Sequence, residues 1–367
     1  MHIEPFAIDP AEAHMVDLRA RIARTRWPES PAGAPWAHGT DLDDLRALMH
    51  DWAFFAWPPH EIAALPHFQA EIDGLRIHFV HVKRGGTPLI LTHGWPSTFA
   101  EMLPMVPLLE NFDLVIPSLP GYGFSSRPQT PHTTRDTAAM WHRLMRGLGY
   151  ELYGAHGTDF GSAVSTFMAI QDPAAMIGLH LSNLDIMPHI DSRPLTDDEL
   201  VYTEDVARWD AVERGYSSIQ STRPQTVAYG LTDSPAGLAA WLLEKWRTWG
   251  DTGGDAKRVP REVLLTVLTT FWLTGTIGSS MLDYYDNRFS NPPIRPDERV
   301  AVPTALAIFD HMHAYEGTPP REWAERLYDL RRYTRMPRGG HFAAAEAPGL
   351  VAEDIRAFFG GLTGTDR

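Results

Sequence analysis

The spacing of hydrophobic and polar positions changes character along the chain. Residues 1–66 place Met15, Leu18 and Ile22, and then Leu42, Leu45, Leu48, Met49 and Trp52, at helical intervals. Pro28, Pro31 and Pro35 separate the two amphipathic stretches, so this segment is expected to be a helical wrap packed on a core. From residue 67 the period shortens. Runs at 68–72 and 75–82 flank Asp73-Gly74, the signal of a β-hairpin. Short apolar runs at 88–92, 112–117, 150–156 and 177–184 read as buried strands, with a helix at about 134–148 among them. Such alternation predicts a mostly parallel sheet, eight-stranded in all, covered by helices on both faces.

Residues 194–296 return to helical spacing, acidic and rich in tryptophan, with Trp209, Trp241, Trp246, Trp249 and Trp272. The core pattern then resumes: a strand at 301–309, a helix around 321–330, a strand at 333–336 and a helix near 351–359. The expected organisation is therefore a wrap (1–66), an α/β core in two parts (67–193 and 297–367), and a helical lid between them (194–296). A lid inserted there would lie over the C-terminal edge of the sheet, where α/β folds place their sites.

Composition narrows the partners. With 46 acidic against 32 basic residues the net charge is −14, and no basic run occurs, so nucleic acid and anionic membrane surfaces are poor partners. The absence of cysteine excludes disulfides, thiol catalysis and thiolate metal sites. Neither a basic-then-apolar leader nor a run of about eighteen apolar residues is present, so a soluble, cytoplasmic protein without a membrane anchor is expected. Homo-oligomerisation is left open.

The chemistry is signalled by Gly157-Thr158-Asp159-Phe160-Gly161-Ser162, which joins an apolar run to a stretch of small helix-forming residues. A strand, a Gly-x-Asp-x-Gly turn and a helix start make a nucleophile elbow, with Asp159 at the apex where serine is usual. A carboxylate attacks only a carbon that is already electrophilic, and the product is an ester of the enzyme. That ester then needs a base to activate water and a group to orient the base. His341, in Gly339-Gly340-His341-Phe342 after the last strand, is the candidate base. The backbone N–H groups of Phe160 and of Trp95, in His93-Gly94-Trp95-Pro96 after a core strand, are candidates to hold the oxyanion.

Together these motifs resemble the α/β-hydrolase-fold epoxide hydrolases of the microsomal and juvenile-hormone type, in a soluble bacterial-style form. Thr222-Arg223-Pro224-Gln225-Thr226, the stretch Asp233 to Trp241 and the stretch Trp272 to Ser280 match as well, as does the N-terminal wrap. The resemblance implies hydrolysis of an epoxide to a vicinal diol, with water and a small-molecule epoxide as the partners and no cofactor or metal. It also implies two lid tyrosines that hydrogen-bond the oxirane oxygen, at Tyr216 and Tyr284. An alkoxide leaves poorly unless an O–H donor meets it, and a phenol can donate first the bond and then the proton.

The sequence departs from the family at the carboxylate that orients the base. The expected Phe-Pro-x-Glu is matched by Phe309-Asp310-His311-Met312, whereas alignment on Pro319-Pro320-Arg321-Glu322-Trp323 brings up Glu316. Glu316 is the first candidate, Asp310 the second and Asp185, at the end of a core strand, the third. His311, His313 and Glu316 also suggest a metal cluster, a reading without a helical frame to support it. Ser97 stands where glycine is common and Phe160 where tryptophan is. A haloalkane-dehalogenase-like activity needs a side-chain donor beside the nucleophile to hold the halide, and phenylalanine offers none. A biosynthetic epoxide-opening cyclase and a catalytically silent small-molecule binder are the remaining alternatives.

Overall fold

Alternation along the strands sorts side chains onto two sides of one sheet. Leu89, Leu91, Leu114 and Ile116 pack with Phe99, Met102, Ile355 and Phe359 on one side. Ile90, Val115 and Ala155 pack with Trp141, Leu144 and Phe167 on the other. The computed structural model describes residues 1–190 and 193–363. Its strands are β1 (Ile3–Pro5), β2 (His67–Ile72), β3 (Leu75–Val82), β4 (Thr87–Thr92), β5 (Phe112–Pro117), β6 (Tyr153–Gly157), β7 (Met176–Leu181), β8 (Val300–Ile308) and β9 (Tyr328–Arg335). They lie in the order β1-β2-β3-β5-β4-β6-β7-β8-β9. The first three pairings are antiparallel and every pairing from β5–β4 to β8–β9 is parallel. The Asp73-Gly74 turn has positive φ at both residues, 53° and 78°, as a tight two-residue hairpin requires.

Three expectations need correction. Among the described residues the sheet has nine strands, not eight, because Ile3–Pro5 adds an antiparallel edge to β2. A three-residue run carries no period, so only its pairing makes it a strand. The helix expected over 321–330 stops at Glu325, and β9 starts at Tyr328 instead of 333. Tyr328 and Leu330 are buried beside β8, and that parallel pairing overrides a local pattern that suits a helix. Finally, β7 ends at Leu181, which frees Ser182 and Asn183 to turn back toward β6.

Between β7 and β8 the chain is helical, from Asp197–Glu213 to Leu282–Ser290. The N-terminal helices, including Leu42–Phe54 with Asp41 capping its first N–H groups, pack largely against this block. Trp52 Nε1 donates to Thr269 Oγ1 at 2.9 Å, and Thr40 Oγ1 to Ala240 O at 2.8 Å. Among the described residues no single helix is long and apolar enough to cross a membrane.

One buried ion pair fastens the helical block to the core. Arg326, just before β9, donates from Nε to Glu199 Oε1 at 2.5 Å and from Nη2 to Glu199 Oε2 at 2.7 Å. The two side chains are 1% and 0% exposed. Removing one partner strands the other charge away from water. Glu199→Ala is therefore expected to lower the unfolding free energy by ~3–5 kcal/mol, measured by urea denaturation.

Candidate active site

Three adjacent strand ends build the centre of the site. At the end of β6 the chain turns through Thr158 and Asp159 into the helix Phe160–Gln171. Asp159 has φ 52° and ψ −132°, a conformation that a residue with a side chain adopts only under constraint. Its N–H donates to Asn183 Oδ1, just beyond β7, at 2.8 Å. Its carboxylate Oδ1 accepts from Trp95 N–H, just beyond β4, at 2.8 Å and from Phe160 N–H at 2.6 Å.

Glycine is needed around this turn for room. A Cβ on Gly157 would lie 2.1 Å from Gly161 O, one on Gly161 2.0 Å from Thr92 O, and one on Gly94 2.2 Å from Asp159 Oδ1. The unusual φ belongs to Asp159 itself. The segment bearing Trp95 is held by His93, which is fully buried. Burial drives that imidazole down to about 4, so it is neutral. Nδ1–H then donates to Gly94 O at 3.1 Å, and Nε2 accepts from Leu119 N–H at 3.2 Å.

His341 arrives from the loop after β9, with Nε2 3.2 Å from Asp159 Oδ2. Burial by itself would lower its pKa. The hydrogen bond and charge of Asp159 outweigh that, with Glu316 and Glu101 adding to the effect, and hold it at about 9. The two atoms thus form an imidazolium–carboxylate pair, while Asp159 Oδ1 stays with the backbone donors. A carboxylate fixed in this way can attack with one oxygen while the other remains placed to carry developing negative charge.

Tyr216 and Tyr284 come from separate helices, Gly215–Gln220 and Leu282–Ser290, and meet over the elbow. Their rings lie 5.7 Å apart at 84°. Trp95 stacks on Tyr216 at 5.2 Å and meets Tyr284 edge-on at 5.6 Å, while Phe160 meets Tyr284 at 4.9 Å. Burial and the nearby Asp159 charge push both phenols upward, so both keep their protons at neutral pH.

A cavity of about 160 Å³ opens onto Asp159, Tyr216 and His341 and is walled in part by Trp209, Trp249 and Met312. The three carboxylates considered for orienting His341 also line it, with different surroundings. Glu316 is half-buried; burial raises its pKa, opposed by His341 and Arg214. Asp310 points to the opposite partners, accepting from Thr318 Oγ1 at 2.7 Å and Arg335 Nη2 at 2.5 Å. Those bonds outweigh burial and hold it below the usual carboxylate range. Asp185 is exposed at the rim. No hydrogen bond joins any of the three to His341 among the described residues. Nor, among those residues, is any group of three or more His, Asp or Glu side chains arranged to hold a metal ion.

Sequence reading missed several contributors. Asn183 gives no pattern signal, because its role depends on where β7 stops. Glu101 lies two residues into the helical turn Phe99–Leu108, 2% exposed, with Oε1 unpartnered among the described residues. Burial pushes it up to about 8, so it is mostly uncharged at neutral pH. Trp249, from the end of the helix Pro235–Trp249, touches both Tyr216 and His341, at ring distances of 5.0 and 5.2 Å.

Known proteins resemble this one in sequence and fold across nearly the whole chain. Residues 3–102 match the family described as epoxide hydrolase N terminus, and residues 87–234 match the alpha/beta hydrolase fold. The chain is 34% identical to epoxide hydrolase 1 of Sus scrofa, over 98% of this chain and 88% of that protein. It is 33% identical to juvenile hormone epoxide hydrolase 2 of Ctenocephalides felis, over 96% of this chain and 84% of that one. The crystal structure of juvenile hormone epoxide hydrolase from the silkworm Bombyx mori superposes with a TM-score of 0.86 at 31% identity, covering 99% of this chain and 95% of that one. Full-length likeness of this degree, in sequence and in fold, makes the chain a member of the epoxide hydrolase family on the α/β-hydrolase fold.

Proposed function

We propose that the protein hydrolyses an apolar epoxide to a vicinal diol through a covalent ester on Asp159. The observation that carries this reading is the division of the Asp159 carboxylate: Oδ1 is taken by two backbone donors, and Oδ2 is left facing His341 and the cavity. In the first step Oδ2 bonds to an oxirane carbon and that carbon's ring C–O bond breaks. The departing alkoxide takes a proton from the Tyr216–Tyr284 pair, and the imidazolium of His341 makes good that proton.

Ester formation removes the anion that keeps His341 protonated, so alkylation itself converts the imidazolium into a base. The neutral ring then takes a proton from water, and the hydroxide adds to the ester carbonyl. Negative charge collects on Oδ1, between the N–H groups of Trp95 and Phe160. Collapse breaks the bond from the carbonyl carbon to Oδ2, and His341 protonates the departing diol. The new carboxylic acid of Asp159 returns its proton to His341, which restores the starting pair.

Glu316 is the proposed orienter of His341, because its charge acts on the imidazole and its carboxylate is free of the strong partners that occupy Asp310. The helical block is the proposed lid. A cavity of about 160 Å³ is close to the ~150 Å³ that holds a benzene molecule. This supports an oxirane with a substituent about the size of one aromatic ring.

Single turnover of styrene oxide in ¹⁸O-labelled water tests the ester route. The first diol is expected to carry unlabelled oxygen from Asp159, and His341→Gln to accumulate enzyme heavier by one substrate mass. Label appearing directly in the first diol rejects the route. The electrostatic coupling is tested by NMR titration of His341. In the wild type the ring stays protonated until pH passes about 9 and is neutral above it. In Asp159→Asn the transition is expected to fall toward the ordinary imidazole value, because desolvation then acts without its main opponent. For the orienting carboxylate, Glu316→Gln is expected to slow ester hydrolysis at least ~10-fold and Asp310→Asn to leave it nearly unchanged, by stopped-flow measurement; the reverse result would transfer the role to Asp310.

A further inference from the structure

The loop that presents His341 is held by a carboxylate outside the site described above. Glu346 accepts from the N–H groups on both sides of the histidine, from Gly340 at 3.3 Å on Oε2 and from Phe342 at 2.9 Å on Oε1. The same Oε2 accepts from Asp251 N–H at 2.6 Å. His341 N–H itself donates to Trp249 O at 2.9 Å, and Gly339 N–H to Asp251 Oδ2 at 2.9 Å. Every backbone N–H from 339 to 342 is therefore committed, either to the chain leaving the helix Pro235–Trp249 or to the carboxylate that grips that chain.

The fit is close. A Cβ on Gly340 would lie 2.5 Å from Trp249 O, and Phe342 stacks on Trp246 at 3.9 Å and 3°. No salt bridge reaches the Glu346 carboxylate among the described residues; Arg338 bonds its backbone carbonyl instead. A half-buried carboxylate without a cation is costly unless N–H groups satisfy it, and here three do.

We propose that Glu346 is a positioning residue for His341: it locks the loop of the base to the end of the helix Pro235–Trp249 and so sets the ring's approach to Asp159. The proposal rests on the ester route above and assigns Glu346 to the second step of it. Asp159, its two backbone donors and the two tyrosines are held by other contacts, and His341 enters alkylation only to return a proton to the tyrosines after the ring C–O bond has broken, so the rate of alkylation does not depend on the clamp. Hydrolysis does, because it needs the ring at the correct angle to water and to the ester carbon.

Glu346→Gln tests the assignment, since an amide nitrogen placed among these N–H groups sets donor against donor whichever way it is turned. With styrene oxide as the probe, the single-turnover alkylation rate is expected to stay within about twofold of wild type, while kcat falls ~10–100-fold, as for other groups that orient a reactive side chain. Covalent adduct then becomes the dominant species in intact-protein mass spectra at steady state. Equal slowing of both steps, or no change in either, overturns the assignment, because a merely structural role does not separate them. If the Gln variant fails to fold, Glu346→Asp, which keeps the charge but draws it back by one methylene, is measured in the same way and must show the same split at smaller size. Absence of adduct in His341→Gln overturns the ester route and the clamp together; normal adduct there with unsplit rates in the Glu346 variants overturns the clamp alone.

Discussion

The left-handed backbone of Asp159 is the constraint from which the rest of the site follows. A non-glycine residue in such a conformation costs on the order of 1–3 kcal/mol and persists only where its surroundings fix it. Here the fixing groups come from the ends of three neighbouring parallel strands: Trp95 after β4, Phe160 after β6 and Asn183 after β7. Glycine would relieve the strain but could not supply the carboxylate. The close approach of Gly157, Gly161 and Gly94 gives the turn the room it needs without any of them adopting the unusual φ.

Charge in the site is arranged around the same residue. Asp159 keeps His341 protonated, and both phenols stay neutral under its influence. Glu101 is also largely uncharged, so the buried region carries fewer full charges than its titratable residues suggest. On the proposed route, covalent capture of a neutral substrate by Asp159 would remove the dominant anion, and this one event would redistribute protons among the others. On that route a single carboxylate would serve both as attacking group and as the switch that releases the base for the following step.

The helical block contributes side chains to the site. It supplies Tyr216 and Tyr284, and through Trp249 and Asp251 it meets the loop of His341. The segment at the end of the helix Pro235–Trp249 also accepts from the loop that carries Glu316, with Ala314 N–H on Thr248 O at 2.8 Å and His313 N–H on Gly250 O at 3.0 Å. Movement of the block relative to the sheet would therefore disturb several of these side chains at once.

The sequence by itself determined the sheet-and-helix alternation, the elbow at Asp159 and the Gly-Gly-His turn. Each rests on local chemistry: strand period, glycine at close approaches, and a turn between an apolar run and a helix. The tyrosines were legible only through resemblance, since nothing local distinguishes Tyr216 from an ordinary core tyrosine. What the tertiary structure alone decided are the contacts between segments far apart in sequence. Ile3–Pro5 is a strand because β2 is there to pair with it, and 328–330 is a strand because β8 is. Asn183, Glu101 and Glu346 gain their places in the same way. A polar side chain's partner is set by which backbone N–H groups the packed core leaves unpaired, and no periodicity along the chain encodes that.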